Sequence, residues 1–325
     1  MRRNAAIIGA SAAGLLVLAG CTPAVPAAVD APPAQETSAV TQTQIDRIVP
    51  ATFAELQAAD KAKDVEKLGT RVGGAAVRIR GVEYQLAKAG DKAAIEEIPS
   101  TMQAVYVSAD ETFPRIMVGV TAAPDGATPV VAMWLQEDVN SDYQLVEWAH
   151  MVPGATLPAM PGTAVGSAQL PLDTDTVTPS PKQVVEDYVQ LLREGNKSEK
   201  APEFAKDTYR ERLFAARKVL NAAAEKGDGS YSDFIDTRMS DTYAMATADG
   251  GALVFTPLTV KSSLKVKNGA TVSISDADKA LVNGKLKDKV THTYRDFIVI
   301  HIPANADEKP VVVAADHHLI KVEAK

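Results

Sequence analysis

One cysteine, Cys21, stands in 325 residues, so no disulfide can form within the chain. Its folded parts must rely on packing alone. Five histidines are present, and no Cys/His cluster has structural-zinc spacing. The chain also lacks a Gly-x-Ser-x-Gly elbow and a Gly-Lys-Ser/Thr phosphate loop, which removes two common nucleophile and nucleotide signatures. Basic charge is in short supply: 34 Lys and Arg against 41 Asp and Glu leave a net charge of −7. Such a chain has no basic face for nucleic acid, and no nucleic-acid partner is expected. Its balance equally disfavours a surface built to lie on anionic lipid. Hydrophobic residues nevertheless make up 46%, so a packed body is expected and disorder is confined to particular segments.

What is present at the start is ordered by chemistry. Arg2-Arg3 gives a basic opening, Ala5 to Ala19 an uncharged apolar run, and Leu18-Ala19-Gly20 leads into the lone Cys21. The run is shorter than the ~20 residues a membrane-spanning helix needs, and the layout is that of a secretory signal. Leu-Ala-Gly-Cys matches the bacterial lipobox, in which the cysteine is lipidated on sulfur and becomes the mature N-terminus. Residues 1–21 are therefore predicted to be a lipoprotein signal peptide, with Leu18, Ala19 and Gly20 as its cleavage motif and Cys21 as the lipidated residue. A diacylglyceryl group has the two chains that stable anchoring requires. The expected location is outside the cytoplasm, with the cell membrane as partner through the anchor. Losing Arg2 and Arg3 takes the formal charge from −7 to −9.

Residues 22–42 carry Pro23, Pro26, Pro32 and Pro33 among Ala, Thr and Gln, and read as a tether reaching about 65 Å if extended. The rest divides into 43–160 and 182–325, separated at 161–181 within a longer Pro- and Gly-rich stretch from Pro153 to Pro181. In the first part Thr43 is placed as a cap for a helix with Ile45, Ile48, Val49, Phe53 and Leu56 at helical spacing, and Pro50 predicts a kink or restart. A second helix is predicted over 71–88, where Gly73-Gly74 weakens the start or permits a close backbone approach. Strands are predicted at 102–108, 115–122, 129–136 and 143–152, with Trp134 and Trp148 between sheet and helices. Short breaks at Asp110-Glu111, Pro124-Asp125-Gly126 and Asn140-Ser141-Asp142 favour an antiparallel meander.

The second part repeats that order. Helices are predicted at 182–194, stopped by Gly195, and 198–225, with Pro202 in the first turn. Strands follow at 242–248, 252–266, 271–275, 291–302 and 310–323, with Asn268-Gly269 and Asn283-Gly284 as hairpin turns and Pro257 at an edge or bulge. The fold class is α+β: two tandem domains, each helices followed by an antiparallel meander, analogous to an NTF2-like or cystatin-like cone.

Candidates for chemistry are few. Asp138-Val139-Asn140-Ser141-Asp142 has a calcium-loop opening, but Tyr143 stands where Gly is needed, so it reads as a polar turn. His292, His301, His317 and His318 fall late, beside Asp296 and Asp316. On a strand Asp316 and His318 share a face and His317 takes the other. Asp316 and His318 are weak metal candidates, and neither a metal nor a cofactor is expected. Lys261, Lys265, Lys267, Lys285, Lys287 and Lys289 read as guards of strand edges rather than an anion-binding patch.

Several short stretches carry a resemblance. Leu18-Ala19-Gly20-Cys21, Thr112-Phe113-Pro114-Arg115 before Met117-Val118-Gly119-Val120, and Leu135-Gln136-Glu137-Asp138 with Tyr143-Gln144-Leu145 are three. Val152 to Pro158, Ser180-Pro181 and Gly250 to Phe255 complete the set. Together they resemble a family of actinobacterial lipoproteins of unknown function, which implies one uncharacterised domain over most of the mature chain and no catalytic residues to carry over. The expected function is a non-catalytic binding or scaffolding module of the envelope with an unidentified envelope ligand or protein as partner. The alternative is a hydrolase- or isomerase-like enzyme with a cone-shaped pocket in 182–325 and His317, His318 or Asp316 as acid or base. A transporter-associated solute-binding protein is a third reading, disfavoured by the lack of alternating β/α units.

Overall fold

Caps encoded within a few residues fix where the long helices begin. The computed structural model describes residues 38–109, 112–123, 127–267, 269–282 and 285–325. Leu18-Ala19-Gly20-Cys21, residues 22–37 of the expected tether, Asp110-Glu111, Pro124-Asp125-Gly126, Asn268 and Asn283-Gly284 lie outside the described residues. Helix α1 (Gln42–Ala62) starts at Thr41 rather than Thr43, because Thr41 and Gln44 close a reciprocal capping box. The packed body accordingly reaches back past Thr43: Val40 is buried and the Ala39 N–H donates to the Ser108 carbonyl. Pro50 sits inside α1 without dividing it. Helix α2 (Gly74–Lys88) begins where Gly73 passes close to Gln144 and Gly74 takes φ +56° against Val146, so the glycine pair serves the close approach.

The first sheet is the expected meander, β1 (Met102–Val107), β2 (Arg115–Thr121), β3 (Val130–Gln136) and β4 (Gln144–His150), all antiparallel in chain order. A polar turn joins β3 to β4, where the Asp138 carboxylate accepts from the Asn140 N–H and the Ser141 hydroxyl. Residues 153–180 then run irregularly to α3 (Pro181–Glu194), capped by Ser180 and ended at Gly195 with φ +78°. This segment is held along both halves: Ser167 bridges to Ser108, Gln169 bridges to Met245, and the Ala248 N–H donates to the Ala159 carbonyl. Helix α4 (Thr208–Lys226) starts later than the expected 198, because Asp207 caps it; Pro202 lies in a separate single turn, Ala201–Glu203.

The second sheet departs further from expectation. Strand β5 (Ser230–Thr237), missed in the sequence, and β6 (Tyr243–Ala246) lie end to end along one side of β7 (Ala252–Lys265). Strand β8 (Lys289–Ile302) pairs on the other side of β7, and β9 (Val311–Ala324) closes the sheet. Pro257 lies in a central strand but at a local edge: it stands in the gap between β6 and β5, where no ladder partner calls for its missing N–H. No strand forms at 271–275; a short helix, α5 (Asp276–Lys279), follows there, capped by Ser275.

Strand alternation sorts most of the apolar side chains into three large cores, beside a small fourth cluster of Val266, Val272, Val290 and Val322. From the first sheet, Met117, Val130, Ala132, Trp134, Leu145 and Trp148 face α1 and α2, so both tryptophans lie between sheet and helices. The opposite face, with Ile116, Val118, Val131, Met133 and Leu135, meets Leu253, Phe255, Phe297, Val299 and Val313 of the second sheet. The far side of that sheet, through Val254, Leu258, Ile298 and Ile300, packs on Val184, Tyr188 and Leu191 of α3. The layers therefore run helices, sheet, sheet, helices in a mixed α+β fold with four- and five-stranded antiparallel sheets. The two halves share the central core, and the described residues fall in one compact unit. No described helix is long and apolar enough to cross a membrane.

Candidate functional site

At one corner the backbone passes from the first sheet to the second. Beyond the end of β4, Met151 bridges to Ala314 of β9, and the Val152 N–H donates to the Val313 carbonyl at 2.9 Å. This zipping lays His150, the last residue of β4, beside Asp316 on β9. The first turns of α4 overhang the same corner, and the space enclosed is a cleft of about 500 Å³. Its walls include Val152, Pro153, Leu213 and Ala216, while His150, Asp316, His317, Tyr209 and Arg212 supply polar groups.

Two Asp–His pairs form the floor. The Asp316 carboxylate accepts from His150 Nδ1 and from the His150 backbone N–H, each at 2.8 Å. That bond raises the His150 pKa above its ordinary value, against the opposing effect of burial. The second pair lies on adjacent strands of the second sheet, where Asp296 stands opposite His317 in register. Fully buried, Asp296 accepts from His317 Nδ1 at 2.8 Å and from the Tyr209 hydroxyl. His317 also stacks on Tyr294 with ring centroids 3.8 Å apart. In each pair the carboxylate assigns the proton of the neutral imidazole to Nδ1 and leaves Nε2 able to accept a further proton. The side chains of His150 and His317 are 39% and 38% exposed, enough for solvent or ligand contact.

Behind His150 lies a denser polar cluster. Glu96 Oε1 is 3.1 Å from His150 Nδ1, and its Oε2 accepts from Trp148 Nε1 at 2.9 Å. His318 is buried with its Nδ1 3.7 Å from the same Oε2. Further in, the fully buried Arg80 lies over the Trp148 ring, pairs with Glu83 and reaches Asp60 at 3.3 Å. Tyr84 donates to Asp60 at 2.6 Å. Burial pushes the Glu83 carboxyl up to about 7, although Arg80 pulls it down.

The cleft is built from both halves, so a relationship confined to one half would not account for it. A family model described as a domain of unknown function, DUF8094, matches residues 36–323, which include every residue of the corner. The chain belongs to the DUF8094 family. No curated protein and no solved structure matches it.

Within this DUF8094 domain the candidates from the sequence separate. Asp316 and His318 do share the face toward Glu96, while His317 takes the other, toward Asp296. Asp316 and His317 border the cleft; His318 is buried behind it. His292 lies elsewhere, 3.3 Å from Asp278, and His301 sits at the far end of β8 near Asp249. Of the lysines, Lys261 and Lys289 line a separate hollow with Phe234, away from the corner. His150, Glu96, Tyr209 and Arg212 were missed. The pairing of β8 with β9 signals Tyr209's partner Asp296, but nothing local signals that β4 ends beside β9.

Proposed function

We propose that this protein is an actinobacterial-type envelope lipoprotein, cleaved before Cys21, lipidated there and held outside the cytoplasm on residues 22–42. Its folded part acts as a binding module for a small envelope molecule, taken up in the corner cleft. The helix-then-sheet order of each half supports a reading as two tandem α+β domains of the NTF2-like or cystatin-like kind, docked sheet to sheet. The observation that carries the binding reading is the cleft itself: a volume of about 500 Å³ with apolar walls and a few convergent polar groups is typical of a small-molecule site. Arg212 rims it, exposed and without an ion-pair partner among the described residues, and suits a ligand with an anionic group. Native mass spectrometry of protein purified from its own envelope tests this. A small organic adduct should be present and should be lost in Ala216→Trp, which fills the cleft. No adduct, or the same adduct in that variant, would refute the reading. For the anchor, Cys21→Ser should abolish membrane partitioning of the mature chain; retention of a cleaved, membrane-bound product would sink the lipoprotein assignment.

A second reading, hydrolase- or isomerase-like catalysis, is favoured by the Asp296–His317 pair. A buried carboxylate that fixes an imidazole tautomer beside a cleft is the arrangement of a general base. That reading requires His317→Gln to abolish turnover of the cleft's ligand while leaving its binding intact.

A further inference from the structure

We infer that Glu96, His150 and Asp316 form a site for one divalent first-row transition-metal ion, whose open coordination position faces the corner cleft. The inference goes beyond the binding reading and does not depend on lipid anchoring. Each of the three residues can offer one ligand atom, and these atoms lie within 4.8 Å of one another. His150 Nδ1 is 2.8 Å from Asp316 Oδ2 and 3.1 Å from Glu96 Oε1. Metal bonds of about 2.0–2.2 Å at tetrahedral angles place ligand atoms about 3.3–3.5 Å apart, so each carboxylate oxygen needs to move from Nδ1 by only a few tenths of an ångström.

Proton bookkeeping points the same way. One Nδ1 proton faces two carboxylate oxygens and bonds to Asp316 alone; Glu96 Oε1 is buried and accepts no hydrogen bond. A cation in place of that proton would serve all three atoms. A second, independent sign is His318, which is 8% exposed. Its Nδ1 lies 3.7 Å from Glu96 Oε2, too far for a hydrogen bond, while its Nε2 meets the Trp148 carbonyl at a long 3.4 Å and its ring packs edge-on against Trp148. A cation held on Glu96 would sit beside this half-satisfied imidazole. Charge completes the case. Glu96 and Asp316 both face His150, and among the described residues neither carboxylate pairs with a Lys or Arg, so a divalent ion would meet two carboxylates with no fixed cation between them.

The choice of ion and position follows from the donors. Glu83, Glu96 and His318 also converge, but Arg80 occupies Glu83 and repels a metal there. One imidazole and two carboxylates suit Zn²⁺, Mn²⁺ or Fe²⁺, and the nitrogen disfavours Ca²⁺ and Mg²⁺. Supporting bonds are in place: Trp148 Nε1 orients Glu96, and the His150 backbone N–H orients Asp316. Three protein ligands with the fourth position open to a cleft is the pattern of a reactive rather than a structural metal centre.

Isothermal titration of the chelator-treated full chain with zinc chloride tests the site. One ion per chain should bind, calcium should not compete, and Glu96→Gln or Asp316→Asn should weaken binding by ~100-fold, a typical upper loss for altered metal-site residues. His292→Ala, which removes a histidine away from the corner, should bind zinc unchanged. Zinc-edge X-ray absorption of the wild-type protein should show a nitrogen/oxygen shell with one imidazole, a readout independent of whether any variant folds. Absence of saturable zinc binding by the wild type, variants that bind as it does, or a shell without imidazole would overturn the assignment. The organic adduct of the binding reading is measured separately, so either proposal can fail alone.

Discussion

Glu147 and Arg295 join the two halves by charge as well as by packing, and removing one of them should be costly. A register shift in the β3–β4 pairing next to Glu147 lets its side chain leave the helix-facing core and meet Arg295 of β8, whose position faces the first sheet. Glu147 Oε1 accepts from Arg295 Nε at 2.8 Å and lies 2.7 Å from Nη2, and the two side chains are 4% and 13% exposed. Water replaces a lost partner poorly at Glu147, which is the more deeply buried of the two. Glu147→Leu or Arg295→Met should therefore destabilise by ~3–5 kcal/mol, the cost of stranding a buried charge, whereas an exposed pair contributes ~0–1 kcal/mol. Arg193–Asp236, with side chains 49% and 54% exposed, is the internal control for the exposed case. In the double variant Glu147→Leu/Arg295→Met no charge is stranded, and most of the loss should return. Urea unfolding reads this directly: with a slope of ~1–3 kcal/mol per molar, each single variant should lower the midpoint by more than about 1 M and the double variant by much less. Additive single effects, or singles no larger than the Arg193–Asp236 control, would show that the charges are solvated and that the sheets do not close over them.

Nicking within residues 153–180 should leave a non-covalent complex rather than two separable domains. Parting the halves would expose Met245, Leu253, Phe255, Phe297, Val299 and Val313, a cost of about 10 kcal/mol or more and comparable with the whole stability of a domain; elution as two folded monomers after cleavage would contradict it. Stability should fall as pH drops below about 6.5, in part through His301. Burial lowers its pKa while Asp249 and Glu308 oppose the shift, so the unfolded chain takes up a proton that the native state resists. Melting temperatures across pH 5–8 should fall less steeply in His301→Gln, and an unchanged slope would refute this. Gly74→Ala should cost ~1–2 kcal/mol, because φ is +56° and Val146 lies 3.3 Å from the added carbon. Gly162→Ala, with open space and no positive φ, should be neutral or slightly stabilising, and equal losses at both sites would count against the backbone argument.

Local rules made much of the fold legible. Apolar spacing marked α1, α2 and α3, Gly195 marked a helix end, and turn residues separated the strands of the first sheet. Where local rules compete, boundaries moved: Asp207 outweighs Pro202 as the start of α4, and the polar alternation of Ser230–Thr237 hides an edge strand. The sheet-on-sheet core also left a trace in composition. Val130 to Leu135 is buried at every position, as is Phe297 to Ile300, and strands apolar on both faces signal cover on both faces. A simple helix-on-sheet cone would need alternation there instead.

The corner site could not be read in the same way, for a physical reason. Asp296 and His317 are 21 residues apart on adjacent strands, so strand pairing suffices to bring them together. His150 and Asp316 are 166 residues apart and belong to different sheets, so their contact exists only because Met151 and Val152 zip onto β9. The polar groups are tolerated at that corner because the fold supplies partners from both halves: Trp148 and His150 from β4, Asp316 and His318 from β9, Glu96 from the segment after α2. Neither half alone could hold the cluster without stranding buried charge. The same burial that makes the cluster costly in isolation ties its assembly to the docking of the two sheets, so any chemistry at the cleft requires that docking.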